Sequence, residues 1–186
     1  MASTISHAIA ALSIGSCFYR PQIPRRVWFA GALCSVLPDA DVVGFLFGIP
    51  YSDFWGHRGF THSLFFAVVL SGVTAIILFR DENVGLRPLP LFMFLFLATA
   101  SHGVLDAMTN GGLGIAFFSP FDNGRYFLPW RPVRVSPISI TRFFSGGGAA
   151  VVRSELLWVW APAFIFATVM LLLKRTQSAN SAAQGQ

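Results

Sequence analysis

The sequence predicts an all-α fold, a polytopic bundle of membrane helices with three clear spans, two shorter N-terminal helices and a long loop rich in aromatic residues and arginine. Of the 186 residues, 54% are hydrophobic and 11% are charged, whereas a soluble domain has about 25% charged residues. Apolar runs also approach the roughly 20 residues that a helix needs to cross a bilayer. We therefore expect one membrane-embedded domain over residues 1–176 and a disordered tail over 177–186.

The two N-terminal helices are short. Residues 5–19 form a helix of small residues, and at 1.5 Å per residue it covers only about 22 Å of a hydrocarbon layer about 30 Å thick. A turn over 20–26, with two prolines and three arginines, separates it from a second apolar segment over 27–37. Residues 42–55 contain glycine, proline and aspartate and are expected to be a loop or an interfacial segment.

The three clear spans are predicted over residues 62–79, 89–109 and 155–173. A polar hairpin over residues 80–88 connects the first two. Residues 110–153 form the longest region without a span, and their glycine, proline, arginine and aromatic content indicates an ordered interfacial lid.

If the five helical segments alternate in direction, the ionisable residues separate into two groups. One end of the bundle receives His7, Asp39, Asp41, His57, His62, His102, Asp106 and Glu155, and the other receives Arg20, Arg25, Arg26, Arg80, Arg87, Lys174 and Arg175. Since short basic loops favour the cytoplasm, the first end is expected to face the extracytoplasmic side. Five arginines in the long loop, at positions 125, 131, 134, 142 and 153, weaken this assignment.

Two pairs of residues at this end have spacings that bring their side chains together. His102 and Asp106 are spaced i, i+4 and share one face of a helix. Asp39 and Asp41 are two apart in a loop or extended segment, where their side chains point the same way. Two neighbouring carboxylates repel each other unless a proton or a cation neutralises them.

The segment 56–63 adds His57 and His62, which are five apart and can both turn inward only if a loop leads into the following helix. With His7 the set contains four imidazoles and three carboxylates, a mixture typical of zinc or manganese. Seven ligands exceed the needs of one tetrahedral ion. We expect a divalent metal, with zinc favoured over manganese. Either two or more ions are bound, or the ligands of one ion are shared with supporting groups.

Each of these residues also has a simpler interpretation. His7 alone is more often a polar interfacial residue, Asp39 alone can cap a turn, and His102 alone can hydrogen-bond a neighbouring helix. Taken together, ionisable groups beside membrane segments indicate a functional site, because such groups are costly to place there. The combination favours a shared metal site.

Three motifs resemble the YdjM-type family of bacterial inner-membrane proteins, which are described as candidate metal-dependent hydrolases. They are Leu37-Pro38-Asp39-Ala40-Asp41, Gly56-His57-Arg58-Gly59-Phe60-Thr61-His62-Ser63, and Ser101-His102 with Asp106 and Asn110-Gly111-Gly112. The resemblance covers about residues 5–120, and the family is distantly similar to zinc-dependent phospholipase C and P1-type nucleases. It implies an inner-membrane location and metal ligation by His7, Asp39, Asp41, His57, His62, His102 and Asp106. Val42 departs from relatives that have histidine there, which puts the number of ions in doubt.

The implied reaction is hydrolysis by a metal-activated water, with Asp39 or Asp41 as the general base. The planar guanidinium of Arg58 either binds a phosphate oxygen or forms a structural salt bridge to an aspartate. Glu155 either joins the site or caps its helix, and the cap is favoured. Groups expected to support the ligands are Thr61, Ser63, Ser101 and Asn110. Arg125, Arg131 and Arg134 either gather an anionic headgroup or anchor the loop to lipid.

The function predicted from these residues is a membrane-bound metal-dependent hydrolase of phosphoester, possibly lipid-linked, substrates. The alternatives are a metal-binding membrane transporter and a non-catalytic membrane factor that a metal stabilises. The expected partners are membrane lipid and a phosphoester substrate. The net charge of +5 does not indicate nucleic-acid binding here, because arginines beside apolar spans usually set topology.

Overall fold

The computed structural model describes residues 1–80 and 84–184, apart from the side chains of residue 140 and of residues 178–184. Its helices are α1 (Thr4–Gly15), α2 (Arg25–Val36), α3 (Leu64–Phe79), α4 (Pro88–Ala107), α5 (Ile140–Arg142), α6 (Gly148–Glu155) and α7 (Ala161–Gln184). The described residues form no β-strand, and only isolated bridges such as Ile115 with Tyr126 occur in the long loop. The all-α prediction is confirmed.

The helix starts follow from local sequence. Ser3 is the N-cap of α1, where its hydroxyl accepts the Ser6 N–H at 3.3 Å. Ser63 caps α3 in the same way by accepting the Phe66 N–H at 3.0 Å. α4 begins with Pro88, whose fixed φ and missing N–H are tolerated in a first turn.

Three helices, α1, α2 and α4, pack against one another to form the centre of the bundle, with α3 against α4 and α7 against α1. Phe94, Leu95 and Ala98 of α4 are fully buried in this centre. Phe94 contacts Phe18 and Trp28, with ring centroids 5.8 and 5.6 Å away. Truncating such an aromatic residue to alanine typically costs about 3–5 kcal/mol.

Among the described residues, three helices are long and apolar enough to span a membrane; two of them contain most or all of the predicted spans 89–109 and 155–173, and the remaining one was not predicted as a span. α2 continues as a 3₁₀ helix over Leu37–Phe47, so Arg25–Phe47 is one helical segment of 23 residues. Gly48, at φ 76°, ends it in the left-handed conformation that glycine tolerates. Pro88–Ala107 is the second candidate span. α3 has only 16 residues and is classed with α1 as a shorter apolar helix.

The third candidate span, Phe143–Gln177, begins inside the region 110–153 that was predicted to contain no span. α6 passes through a π-helical turn, Leu156–Trp160, directly into α7. α7 runs to Gln184 and therefore continues into the segment 177–186 that was predicted to be disordered. Residues 81–83 of the predicted hairpin and residues 185–186 lie outside the described residues, and the single-domain division stays a prediction.

Candidate metal centre

The structure brings all seven predicted metal residues to one end of the bundle. His7 lies on α1, Asp39 and Asp41 on the 3₁₀ helix after α2, His57 and His62 in the segment before α3, and His102 and Asp106 on α4. α1 and α3 run away from this end, whereas α2 and α4 approach it. The alternation expected from the sequence therefore explains why residues almost 100 positions apart meet.

The tightest part of the cluster is a triangle of three atoms. His102 Nε2 lies 3.0 Å from His62 Nε2 and 3.4 Å from Asp39 Oδ1, and the His62 Nε2 atom is 3.5 Å from the same oxygen. Ligands held about 2.0–2.1 Å from a zinc ion are separated by about 3.0 Å in octahedral and 3.4 Å in tetrahedral geometry. The triangle therefore has the dimensions of one face of a metal site.

Hydrogen bonds on the far side of each imidazole turn the Nε2 atoms inward. His102 Nδ1 is 2.7 Å from the carbonyl oxygen of Ser35, which can only accept, so Nδ1 carries the proton. His62 Nδ1 lies 3.1 Å from the Thr61 hydroxyl and 3.2 Å from Asp41 Oδ2; because that hydroxyl donates its own proton to Asp41, it accepts from Nδ1, which therefore carries the proton. The two Nε2 lone pairs consequently face each other across 3.0 Å. This arrangement is unfavourable unless a proton or a metal ion lies between them.

His7 and Asp106 border the triangle. His7 Nε2 is 3.5 Å from Asp106 Oδ1 and 4.0 Å from Asp39 Oδ2, and Asp106 Oδ2 is 3.8 Å from His62 Nε2. Within the described part of the chain, both ring nitrogens of His7 and both carboxylate oxygens of Asp39 are buried without a hydrogen-bond partner. Asp39, His62, His102 and Asp106 could thus bind a metal ion, with His7 beside them.

Asp41 occupies a different position from Asp39. Its Oδ1 is 2.7 Å from His57 Nδ1, and its Oδ2 is 2.7 Å from the Thr61 hydroxyl. Asp41, His57 and His62 could also hold an ion, but a separation of 2.7 Å is that of a hydrogen bond and is shorter than the roughly 3.0 Å expected between two metal ligands. The geometry favours Asp41 as the group that orients the two imidazoles, and neither of its oxygens is free to act as a base.

The charge balance of the cluster also favours a cation. Burial opposes protonation of His62, but its hydrogen bonds to Asp39 and Asp41 outweigh this effect and raise its pKa to about 9. In the absence of a metal, His62 therefore carries a proton at neutral pH. A bound metal ion would replace that proton as the positive charge between the carboxylates.

Arg58 is completely buried, and its guanidinium is used within the protein. It donates to the carbonyl oxygens of Gly111 and Leu113 at 2.9 and 2.7 Å and to the Thr109 hydroxyl at 2.9 Å. Arg58 Nε lies 3.2 Å from Asp106 Oδ2. These contacts favour the structural salt bridge over phosphate binding, the two interpretations that the sequence left open.

The segment 56–63 is folded tightly enough to require its glycines. A Cβ atom on Gly56 would lie 2.2 Å from the Pro50 carbonyl oxygen, and one on Gly59 would lie 2.3 Å from that of Phe54. Arg125 reinforces the turn by donating to the carbonyl oxygens of His57 and Asp53, both at 3.0 Å. Arg125 therefore holds this segment in place.

The other arginines of the long loop show no contact that tests a headgroup role. Arg131 packs over the ring of Phe127, 4.7 Å from its centroid. Arg134 is held through its backbone N–H, which donates to Ser154 at 2.9 Å. Both side chains stay candidates for anchoring the loop.

The four residues that were expected to support the metal ligands have different roles in the structure. Thr61 contacts both Asp41 and His62, as expected. Ser63 caps α3. Ser101 donates to the Ala98 carbonyl oxygen in its own helix, and Asn110 accepts the Val135 N–H at 3.0 Å, which fixes the long loop. Sequence reasoning missed the Ser35 carbonyl oxygen, because a backbone acceptor leaves no residue-type signal.

Glu155 neither enters the cluster nor caps its own helix. It is fully buried at the end of α6 and accepts a hydrogen bond from the Ser3 hydroxyl at 2.6 Å. The preceding residue, Ala2, donates its backbone N–H to Asp106 Oδ1 at 2.6 Å. The start of α1 is thereby attached both to the end of α6 and to the cluster.

Comparison with known proteins assigns the family. The profile of the YdjM inner membrane protein family matches residues 1–179. The chain is 40% identical to Inner membrane protein YbcI of Escherichia coli (strain K12) over 165 residues, which cover 89% of this chain and 94% of that protein. It is 30% identical to YvsG of Bacillus subtilis (strain 168) over 115 residues, which cover 56% of this chain and 67% of that protein. No solved structure gives a significant match. The family profile spans nearly the whole chain and the motifs of the metal centre, and the chain belongs to the YdjM inner membrane protein family.

Proposed function

We propose that this inner-membrane protein is a metal-dependent hydrolase whose buried His/Asp centre binds zinc and acts on phosphoester substrates. The observation that carries the proposal is the triangle of Asp39, His62 and His102, in which hydrogen bonds fix the far side of each imidazole and the two inward Nε2 atoms lie 3.0 Å apart beside Asp39 Oδ1. Such carboxylate- and carbonyl-supported imidazoles are typical of metal sites.

The mixture of donors supports the choice of metal and reaction. Three imidazoles and two carboxylates, from His7, His62, His102, Asp39 and Asp106, suit zinc, with manganese as the alternative. A bound divalent ion supplies an activated water at neutral pH and polarises the scissile group. The choice of a phosphoester follows from the family resemblance to zinc-dependent phospholipase C and P1-type nucleases.

Within this proposal the two aspartates of the 3₁₀ helix have separate roles. Asp39 Oδ1 faces His62 and His102, while Asp39 Oδ2 has no hydrogen-bond donor among the described residues and can hold a proton. Asp39 keeps 7% of its surface exposed, whereas His102 and Asp106 have none. We therefore assign the general base to Asp39. Asp41 positions His57 and His62 and is not assigned to proton transfer.

Metal analysis of the purified protein tests the first step. We expect stoichiometric zinc or manganese in the wild type and in Asp122→Asn, which changes an exposed carboxylate, and loss of the metal in His62→Gln and His102→Gln. Unchanged metal content in the histidine variants would refute the metal centre. Hydrolysis is then measured with bis(p-nitrophenyl) phosphate and phospholipid vesicles. Metal-loaded wild type should turn over one of them, whereas Asp39→Asn, supplied with excess zinc to offset its weaker binding, should show less turnover per bound ion.

A second candidate, a non-catalytic membrane factor stabilised by its metal, is favoured by one observation. The ligands come from four separate chain segments and are almost completely buried, as in structural metal sites. In that case metal removal would unfold the bundle, and every phosphoester tested would be left intact by the metal-loaded protein. Thermal unfolding with and without chelator, combined with the hydrolysis assay, separates the two functions.

A further inference from the structure

A groove with a volume of about 970 Å³ lies at the end of the bundle opposite the metal centre, between the last turn of α1 and the outer half of α7. α1 begins beside the metal centre, and Glu155 at the end of α6 is hydrogen-bonded to Ser3, so the later residues of α1 and α7 lie toward the opposite end of the bundle. The walls and rim of the groove are formed by Leu12, Ala167, Leu171, Arg20, Lys174 and Arg175, among other residues.

The walls of the groove are apolar and belong to helix surfaces that are exposed on the protein. Only 11% of the most apolar stretch of Phe143–Gln177 is buried within the protein, so most of this helix contacts acyl chains in a bilayer. Leu12 of the facing helix is 42% exposed. From Ala167 to Arg175 the α-helical rise is about 12 Å, which is long enough to accommodate the first part of an acyl chain below the rim.

The rim is cationic and aromatic. Arg20 and Arg175 are exposed, and the described residues that line the groove include no aspartate or glutamate. Tyr19 and Trp28 form one side, with ring centroids 6.1 Å apart, and Trp28 rests on Phe94 of the core. Tyrosine and tryptophan are enriched where a bilayer meets water, and basic pockets between membrane helices on the cytoplasmic side bind anionic headgroups.

We propose that this groove binds one anionic glycerophospholipid, with its phosphate between Arg20 and Arg175 and one acyl chain against Ala167 and Leu171. A single arginine at the membrane–water interface attracts anionic lipid but does not hold one lipid molecule at a defined position. Here cations from two separate chain segments line one apolar groove, and the charge complementarity selects a phospholipid with a net negative headgroup. The inference does not depend on the metal centre or on hydrolysis.

Native mass spectrometry of the full-length protein in detergent, with added phosphatidylglycerol or phosphatidylcholine, tests this site. We expect one phosphatidylglycerol to stay bound to the wild type. The double variant Arg20→Gln/Arg175→Gln should bind it about 30-fold more weakly, since each basic residue near an anionic surface contributes about 5-fold. Arg25→Gln is the matched control, because it removes an exposed arginine at the same end but outside the groove.

A second variant, Ala167→Phe, fills the groove without changing its charge and should also lose the bound lipid. Thermal unfolding in detergent alone checks that each variant is folded. Equal phosphatidylglycerol binding by the wild type and the double variant would overturn the proposal, as would equal retention of phosphatidylcholine. Binding of glycerol 3-phosphate as tightly as phosphatidylglycerol would refute the acyl-chain part, since the apolar walls would then contribute nothing.

Discussion

Replacing Asp41 by asparagine tests the role of the residue that orients the imidazoles. The aspartate accepts on one oxygen from His57 and on the other from Thr61, both at 2.7 Å, and the second oxygen lies 3.2 Å from His62 Nδ1. Asparagine has the same shape but only one accepting oxygen, so the hydrogen bonds on one side must be lost. If its amide group faces His62, the imidazole must accept at Nδ1 and carry its proton on Nε2, where it can no longer bind a metal.

The expected size of the effect follows from this geometry. A hydrogen bond to a charged group contributes about 1.5–3 kcal/mol, and losing one should weaken metal binding by roughly 10- to 150-fold. This range agrees with the 10- to 100-fold loss that is typical when a group supporting a metal ligand is removed. Asp39→Asn changes a proposed ligand directly and should have a larger effect.

Competition with a fluorescent zinc chelator measures these affinities in detergent. Asp122→Asn is the control, because this exposed carboxylate lies in the loop near the start of α3 and contacts Tyr126 rather than the cluster. If Asp41→Asn binds zinc as tightly as the wild type, the orienting role is wrong. If it loses zinc as completely as Asp39→Asn, then Asp41 is a direct ligand, and the hydrogen-bond interpretation of the 2.7 Å distance to His57 fails.

Three further predictions follow from contacts around the centre. Arg58→Met should lower the free energy of unfolding by about 3–5 kcal/mol, because it removes the arginine that balances the buried charge of Asp106. A variant that unfolds like the wild type but shows a raised KM in the hydrolysis assay would instead support phosphate binding by Arg58. Glu155→Gln should reduce stability by about 1–3 kcal/mol through its contact with Ser3 while metal content stays unchanged; loss of metal in that variant would place Glu155 in the site. A cysteine introduced at Asp122 should react with a membrane-impermeant maleimide from the extracytoplasmic side, and labelling only after the membrane is opened would reverse the topology.

The sequence predicted the helical fold and the convergence of the ligands because both depend on long-range regularities. Apolar segments that alternate in direction must place their ends on two sides, and this alone brings His7, Asp39 and His102 together. The lengths of the spans were harder to predict. Residues 42–47 look like a loop by composition, yet they continue the helix that contains Asp39, since Gly48 is the residue that ends it.

The division of roles inside the cluster was also beyond the sequence. Asp39 and Asp41 are identical residues two positions apart, and only the turn of the 3₁₀ helix directs one at the inward Nε2 atoms and the other at Nδ1. Arg58 had two equal interpretations because its partners, the carbonyl oxygens of Gly111 and Leu113, belong to a loop whose path no local pattern specifies.

The position of the centre also has a consequence for biosynthesis. Among the candidate ligands, His7 is synthesised first and Asp106 last, and in the folded protein His7 Nε2 lies 3.5 Å from Asp106 Oδ1. A nascent chain can therefore complete the centre only after α4 has entered the bilayer. If the proposed metal binds there, metal acquisition would be a late event in membrane assembly, and a chain that has inserted only as far as α3 would lack the metal.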